Sequence, residues 1–101
     1  LPNCLLSTPI MSEKFTFRGI FDDSIFSYLQ NVKEVYLREI SNYNQVNWTG
    51  LTMLANLQKL VISDQCKIKK INDAKIKIWE ILKDHCSTYY SDKNSITYLR
   101  D

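Results

Sequence analysis

The sequence predicts an α/β fold: an irregular solenoid in which short parallel strands alternate with short helices. Three observations predict it. Short apolar segments with strand-like alternation recur along the chain, and two of them share one apolar spacing. Short segments that open on helix-capping residues lie between them. Polar stretches at 41–48 and 87–94, rich in Asn, Ser and Tyr, read as loops.

The strands come first. Val32-Lys33-Glu34-Val35-Tyr36-Leu37 is apolar at its first, fourth and sixth positions, and Leu57-Gln58-Lys59-Leu60-Val61-Ile62 repeats that spacing. This is the L-x-x-L-x-L core of a leucine-rich repeat. The fourth and sixth positions point inward because strand side chains alternate, and the first enters from the preceding turn. Weaker copies flank the pair: Lys14-Phe15-Thr16-Phe17-Arg18-Gly19, Lys75-Ile76-Lys77-Ile78 and Ser95-Ile96-Thr97-Tyr98. The matching positions Phe15, Val35, Leu60, Ile76 and Ile96 are 20, 25, 16 and 20 residues apart. Leucine-rich repeats run about 20–29 residues, so one step is short and the repeats are irregular, four to five in about 100 residues.

Helical segments fill the gaps. Asp22-Asp23-Ser24 caps a short helix over Ile25 to Leu29, because their side chains accept from backbone N–H groups left unpaired in a first turn. Thr49 to Ala55 follows as a second short helix or turn, and Trp79 to His85 as a third. Lys75 to Trp79 is open to two readings. It alternates like a strand, yet Lys75, Ile78, Trp79, Leu82 and Cys86 also share one helical face, with Asn72 or Asp73 as a cap. A brief strand leading into a helix is the preferred reading.

Composition bounds the function. The 101 residues are 45% hydrophobic and 24% charged, as for one small domain or a piece of a larger one. The first residues lack an initiating Met and a signal-peptide pattern, so the chain reads as a segment of something longer whose end repeats need neighbours to cover them. A net charge of +2 implies neither nucleic acid nor membrane by itself. Three widely spaced cysteines, Cys4, Cys66 and Cys86, do not make a disulfide framework, which favours a reducing compartment. No apolar run approaches the roughly 20 residues of a membrane helix.

Catalysis and metal binding find no support. The one His, His85, has no Ser or Cys at a family-type spacing, and Gly19 and Gly50 stand alone rather than in a phosphate loop. Cys4, Cys66, His85 and Cys86 contain no C-x-x-C pair, and the side chains of His85 and Cys86 diverge on helix or strand. The chain is therefore read as no enzyme, with no cofactor, metal or small-molecule substrate. Asn47-Trp48-Thr49 matches a glycosylation sequon, a triplet common by chance and set against secretion by the free cysteines. Trp48 and Trp79 read as structural, Trp48 as a plug beside Gly50.

Two surfaces remain. Outward strand positions Thr16, Arg18, Glu34, Tyr36, Arg38, Lys59, Val61, Ser63 and Thr97 would line a concave face, the broad surface with which solenoids bind proteins. Arg18, Glu34, Tyr36, Arg38, Lys59 and Val61 are the candidate contacts, with Tyr36 and Arg38 the anchors, since Tyr and Arg dominate interface hot spots. The bland alternative is a set of solvated strand positions. The second surface is Lys67, Lys69, Lys70, Lys75 and Lys77, five lysines against one acid, Asp73, which leaves −2 for the rest of a chain of net +2. Such a cluster would touch a nucleic-acid backbone without reading bases. The preferred reading of these lysines is a solvated face of alternating Lys beside buried Ile.

With those residues set out, the chain resembles F-box/leucine-rich-repeat proteins, and within them the branch that serves the budding-yeast inner-kinetochore complex on centromere DNA. The resemblance rests on Lys14 to Gly19, Glu34 to Leu37, Thr49 to Leu51, Asn56 to Ser63 and Asn94 to Arg100, in that order, as islands between unmatched loops. Segments like Asn56 to Ser63 recur in many leucine-rich repeats, immune receptors among them. The F-box itself is absent from these residues. The resemblance implies a nuclear, non-catalytic scaffold with an F-box-binding adaptor and a zinc-cluster DNA-binding subunit as partners, and possible contact with the DNA backbone through the lysines. Two other readings stay open: a substrate adaptor of a ubiquitin ligase, with a cytoplasmic location allowed, and the ligand-sensing repeats of an immune receptor.

Overall fold

The described residues build one five-stranded sheet with a helical layer on one side. A computed structural model of the chain describes residues 12–64, 68–84, 86–91 and 95–100, with side chains at 12–64, 74–84 and 95–99. The strands are β1 (Lys14–Gly19), β2 (Glu34–Ile40), β3 (Lys59–Ser63), β4 (Cys86–Ser91) and β5 (Ser95–Arg100), in the spatial order β1-β2-β3-β5-β4. β1, β2 and β3 run parallel, whereas β5 is antiparallel to β3 and β4 antiparallel to β5.

The parallel part is two strand–turn units stacked side by side. After β1 the chain turns through the 3-10 helix Asp23–Tyr28, whose cap is the Asp22 carboxylate accepting from the Ser24 N–H at 2.9 Å. After β2 come the 3-10 helices Tyr43–Gln45 and Trp48–Met53, the second capped by Asn47. These turns lie under the sheet because their apolar residues Ile25, Phe26, Leu29, Trp48, Leu51 and Leu54 are buried with Val35, Leu37, Leu60 and Ile62 in one core. Gly50 is required there by packing: a Cβ on it would sit 2.9 Å from Cγ of the buried Phe26 ring and closer still to Cδ2.

Three side chains tie one unit to the next through the backbone. Asn42 both accepts from the Phe21 N–H and donates to the Phe21 carbonyl, each at 2.8 Å. The Asp23 carboxylate accepts from the Asn47 N–H at 2.9 Å, and Asn56 donates to the Gln30 carbonyl at 2.8 Å. Each bond satisfies a loop group that neither strand nor helix pairs. At the end of β2 the register slips by one residue, so that Arg18 faces Arg38 while Gly19 faces Ile40. The extra residue, Glu39, takes a left-handed φ of 50°, which a side chain adopts only at a cost of about 1–2 kcal/mol.

The final third differs from the sequence expectation in three ways. Lys75–Ile78 is not a strand but lies inside α1 (Ile68–Leu82). Ala74, Ile78 and Leu82 form one buried stripe at four-residue steps, and that stripe outweighs a strand-like alternation only four residues long. The segment 87–94, expected as a loop, contains most of β4. The strand at Ser95–Tyr98 continues to Arg100 and runs antiparallel, because β4 and β5 form a hairpin instead of a further crossover.

Candidate protein-binding face

Alternation along each strand fixes the two faces of the sheet. Phe15 and Phe17, Val35 and Leu37, Leu60 and Ile62, and Ile96 and Tyr98 turn toward the helical layer. The intervening residues turn the other way, where they are exposed or half-buried. Register then sorts them into rows. Lys14, Glu34, Lys59 and Leu99 form the first row, Thr16, Tyr36, Val61 and Thr97 the second, and Arg18, Arg38, Ser63 and Ser95 the third. All six candidate contacts named from the sequence, Arg18, Glu34, Tyr36, Arg38, Lys59 and Val61, therefore meet on one face.

The rows differ in chemistry. In the first, Glu34 lies between two lysines in register. Its Oε1 accepts from the Tyr36 hydroxyl at 2.5 Å. That hydrogen bond holds the Glu34 carboxyl below the usual glutamate range, with Lys14 and Lys59 adding to the effect and partial desolvation opposing it. The middle row is the apolar one, with Tyr36 beside Val61 and the Lys59 ammonium 5.7 Å from the centre of the Tyr36 ring. In the third row two arginines sit directly opposite each other, an arrangement that costs stability unless something neutralises it. Glu39 supplies part of that, at 4.0 Å from Arg18. Among the described residues no carboxylate pairs with Arg38.

The Glu34–Tyr36 link sets a pH response. A carboxyl whose folded pKa is depressed contributes stability above its unfolded value and loses it as pH falls through the folded one. Titration of the Glu34 carboxyl by carbon-13 NMR is therefore expected to give a midpoint below the ordinary value of about 4.3. Tyr36→Phe, which removes the donor, raises the midpoint. An unchanged midpoint in that variant would mean the hydroxyl does not hold the carboxylate in solution.

The lysine cluster fares differently. Lys67 lies outside the described residues, and Lys69 and Lys70 fall in α1 at positions whose side chains are not described. Lys75 and Lys77 are half-buried and exposed on α1. Two residues apart on a helix, they leave the axis roughly 200° apart rather than side by side as on a strand. Ile76 between them is exposed, so the expected Lys-out, Ile-in alternation does not hold. Trp48 is buried, with its indole N–H donating to the Tyr43 carbonyl at 3.2 Å, whereas Trp79 is 40% exposed on α1. A groove of about 440 Å³ lies between α1 and the turn at 46–49, lined by Val46, Trp48, Ile76 and Ile81 together with Lys77 and Glu80. Of the four candidate metal ligands set out from the sequence, Cys4, Cys66 and His85 lie outside the described residues, and no helix among the described residues is long and apolar enough to cross a membrane.

Register adds residues that sequence reasoning missed. Lys14 has the same parity as Thr16 and was within reach of the strand pattern. Leu99 and Ser95 join the face because β5 is longer than its apolar core. Thr88 and Tyr90 of β4 stand in register with Leu99 and Thr97 at the far edge. No family model, curated protein or solved structure matches the chain.

Proposed function

We propose that the chain is a non-catalytic repeat scaffold that binds another protein through the outward face of β1, β2 and β3. The observation that carries this reading is the row structure: an apolar centre of Tyr36 and Val61 flanked by charged rows, held by strands whose other side is the core. A face with a Tyr in its middle row and, beside it, an Arg that no carboxylate among the described residues pairs with has the make-up of an interface hot spot ringed by polar residues. The resemblance to F-box/leucine-rich-repeat proteins supports the same reading. On that footing alone we also propose a nuclear location and a place in a centromere-DNA-binding complex.

The test places a photo-crosslinking amino acid in the chain at Val61 or Thr97 on the face, and at Thr52 or Glu80 away from it. A specific adduct is expected from the face positions and lost on Arg38→Glu, with the far-UV circular dichroism unchanged. Equal labelling from both sets of positions, or an adduct indifferent to Arg38→Glu, would overturn the reading. Backbone contact with DNA is a separate question: Lys75→Gln with Lys77→Gln should flatten the salt dependence of duplex binding if these lysines touch phosphate.

A further inference from the structure

Among the described residues β1 pairs with β2 alone, and its other edge is a second surface, distinct from the face. The Glu13 carbonyl accepts from the Lys33 and Glu34 N–H groups, and the Gly19 carbonyl from the Ser41 N–H. In a parallel ladder the N–H and C=O of one residue point to the same neighbour, and the next residue's point away. Lys14, Thr16 and Arg18 therefore turn their backbone groups outward to the edge. Ser12 closes over the first of them: its Oγ accepts from the Lys14 N–H at 3.2 Å and donates to the Lys14 carbonyl at 2.8 Å. Among the described residues nothing does the same for Thr16 or Arg18.

The layer beneath this edge is thinly covered. Phe15 and Phe17 are half-buried, although Val35 and Leu37, their register partners on β2, are fully buried. Ile20, just past the strand, is 75% exposed. Open N–H and C=O groups above a half-covered apolar layer make a template for another strand. Charge decides which strand. A second copy in the register that pairs Thr16 with itself would set Lys14 against Arg18 at both ends, which repels. An acidic strand is attracted by the same two cations, although Glu39 beside Arg18 offsets part of the charge.

We propose that the edge of β1 accepts an extended segment of a partner protein as an added strand. The segment alternates apolar residues, laid against Phe15 and Phe17, with acidic residues, laid beside Lys14 and Arg18. The backbone of Thr16 and Arg18 supplies the hydrogen bonds, and alternation supplies the selectivity.

The probe is a fluorescein-labelled synthetic peptide of alternating Glu and Val, with an alternating Lys and Val peptide as its charge control, titrated with the full chain by fluorescence anisotropy. Thr16→Pro is the informative variant. It removes an N–H that faces the edge and takes no part in the ladder to β2, a place where a strand tolerates proline. The Glu–Val peptide is expected to bind and the Lys–Val peptide not to. Binding falls with salt, and Thr16→Pro weakens it by about tenfold while the far-UV spectrum stays the same. Equal binding of the two peptides, or full affinity in Thr16→Pro, overturns the proposal. So does a variant that loses thermal stability while the unaltered chain binds neither peptide, because the edge is then already paired. Failure here leaves the face reading standing, since crosslinking at Val61 and loss on Arg38→Glu do not involve the β1 edge.

Discussion

Trp48→Ala is expected to destabilise the fold by about 3–5 kcal/mol. Trp48 is 2% exposed, with ring centres 6.3 Å from Phe26 and 6.4 Å from Tyr43. Phe26 belongs to the turn after β1 and Tyr43 to the turn after β2, so one side chain joins the two stacked units. Removing it opens a cavity between them. It also strips the Tyr43 carbonyl of its donor, a desolvation penalty of about 1–3 kcal/mol if no water replaces it. The neighbouring Gly50 offers no relief, because Phe26 already fills the space against it. Trp79→Ala, at a partly exposed position on α1, should stay within about 1 kcal/mol. Urea titration of both variants checks this, and equal costs would show that Trp48 does not bridge the units.

The sequence spoke most clearly where the period was strong and the environment uniform. Val32, Val35 and Leu37, with Leu57, Leu60 and Ile62, repeat one spacing, and all six are buried under parallel strands. The cap at Asp22 was legible because a carboxylate before a short apolar run has one structural use. The sequence was misleading at 75–78. There a four-residue alternation competed with a helical stripe whose members, Ala74, Ile78 and Leu82, are spread over nine residues. β4 was illegible for a different reason. Cys-Ser-Thr-Tyr-Tyr-Ser carries little apolar alternation, and its pairing with β5 is a long-range fact that no local window holds.

The candidate face follows the same logic. Parity along each strand named its members, because side chains alternate wherever a strand lies. Parity does not say who stands beside whom. That Arg18 faces Arg38, or that Glu34 lies between Lys14 and Lys59, is set by register, and register depends on loop lengths and on the one-residue slip at Glu39. Asn42 was hidden in a polar stretch read as a loop, and Asn56 at the start of a segment read only for its apolar spacing. Their work is to satisfy the backbone of the preceding unit across more than 20 residues of chain, and nothing in the neighbouring sequence marks it. Of the lysines read as a single cluster, Lys75 and Lys77 are the two whose side chains are described, and on α1 they leave the axis in different directions.

Leu60→Ala is expected to cost about 2–5 kcal/mol, and its mode of unfolding is as informative as its size. Leu60 is 1% exposed at the centre of β3, with Val35 in register on its parallel side and Tyr98 on its antiparallel side. Its side chain thus joins the stacked strand–turn units to the hairpin of β4 and β5. The hairpin is anchored below by the Tyr98 hydroxyl, which donates to the Lys75 carbonyl of α1 at 3.3 Å. If the sheet is one cooperative unit, Leu60→Ala shifts the urea midpoint and leaves a single transition with an unchanged slope. A cost near zero would remove β3 from the core and the repeat reading with it. A second transition would instead mean that the parallel units and the hairpin hold together separately. The outward face would then rest on the parallel units alone, because Thr97, Leu99 and Ser95 reach it only through the pairing of β5 with β3.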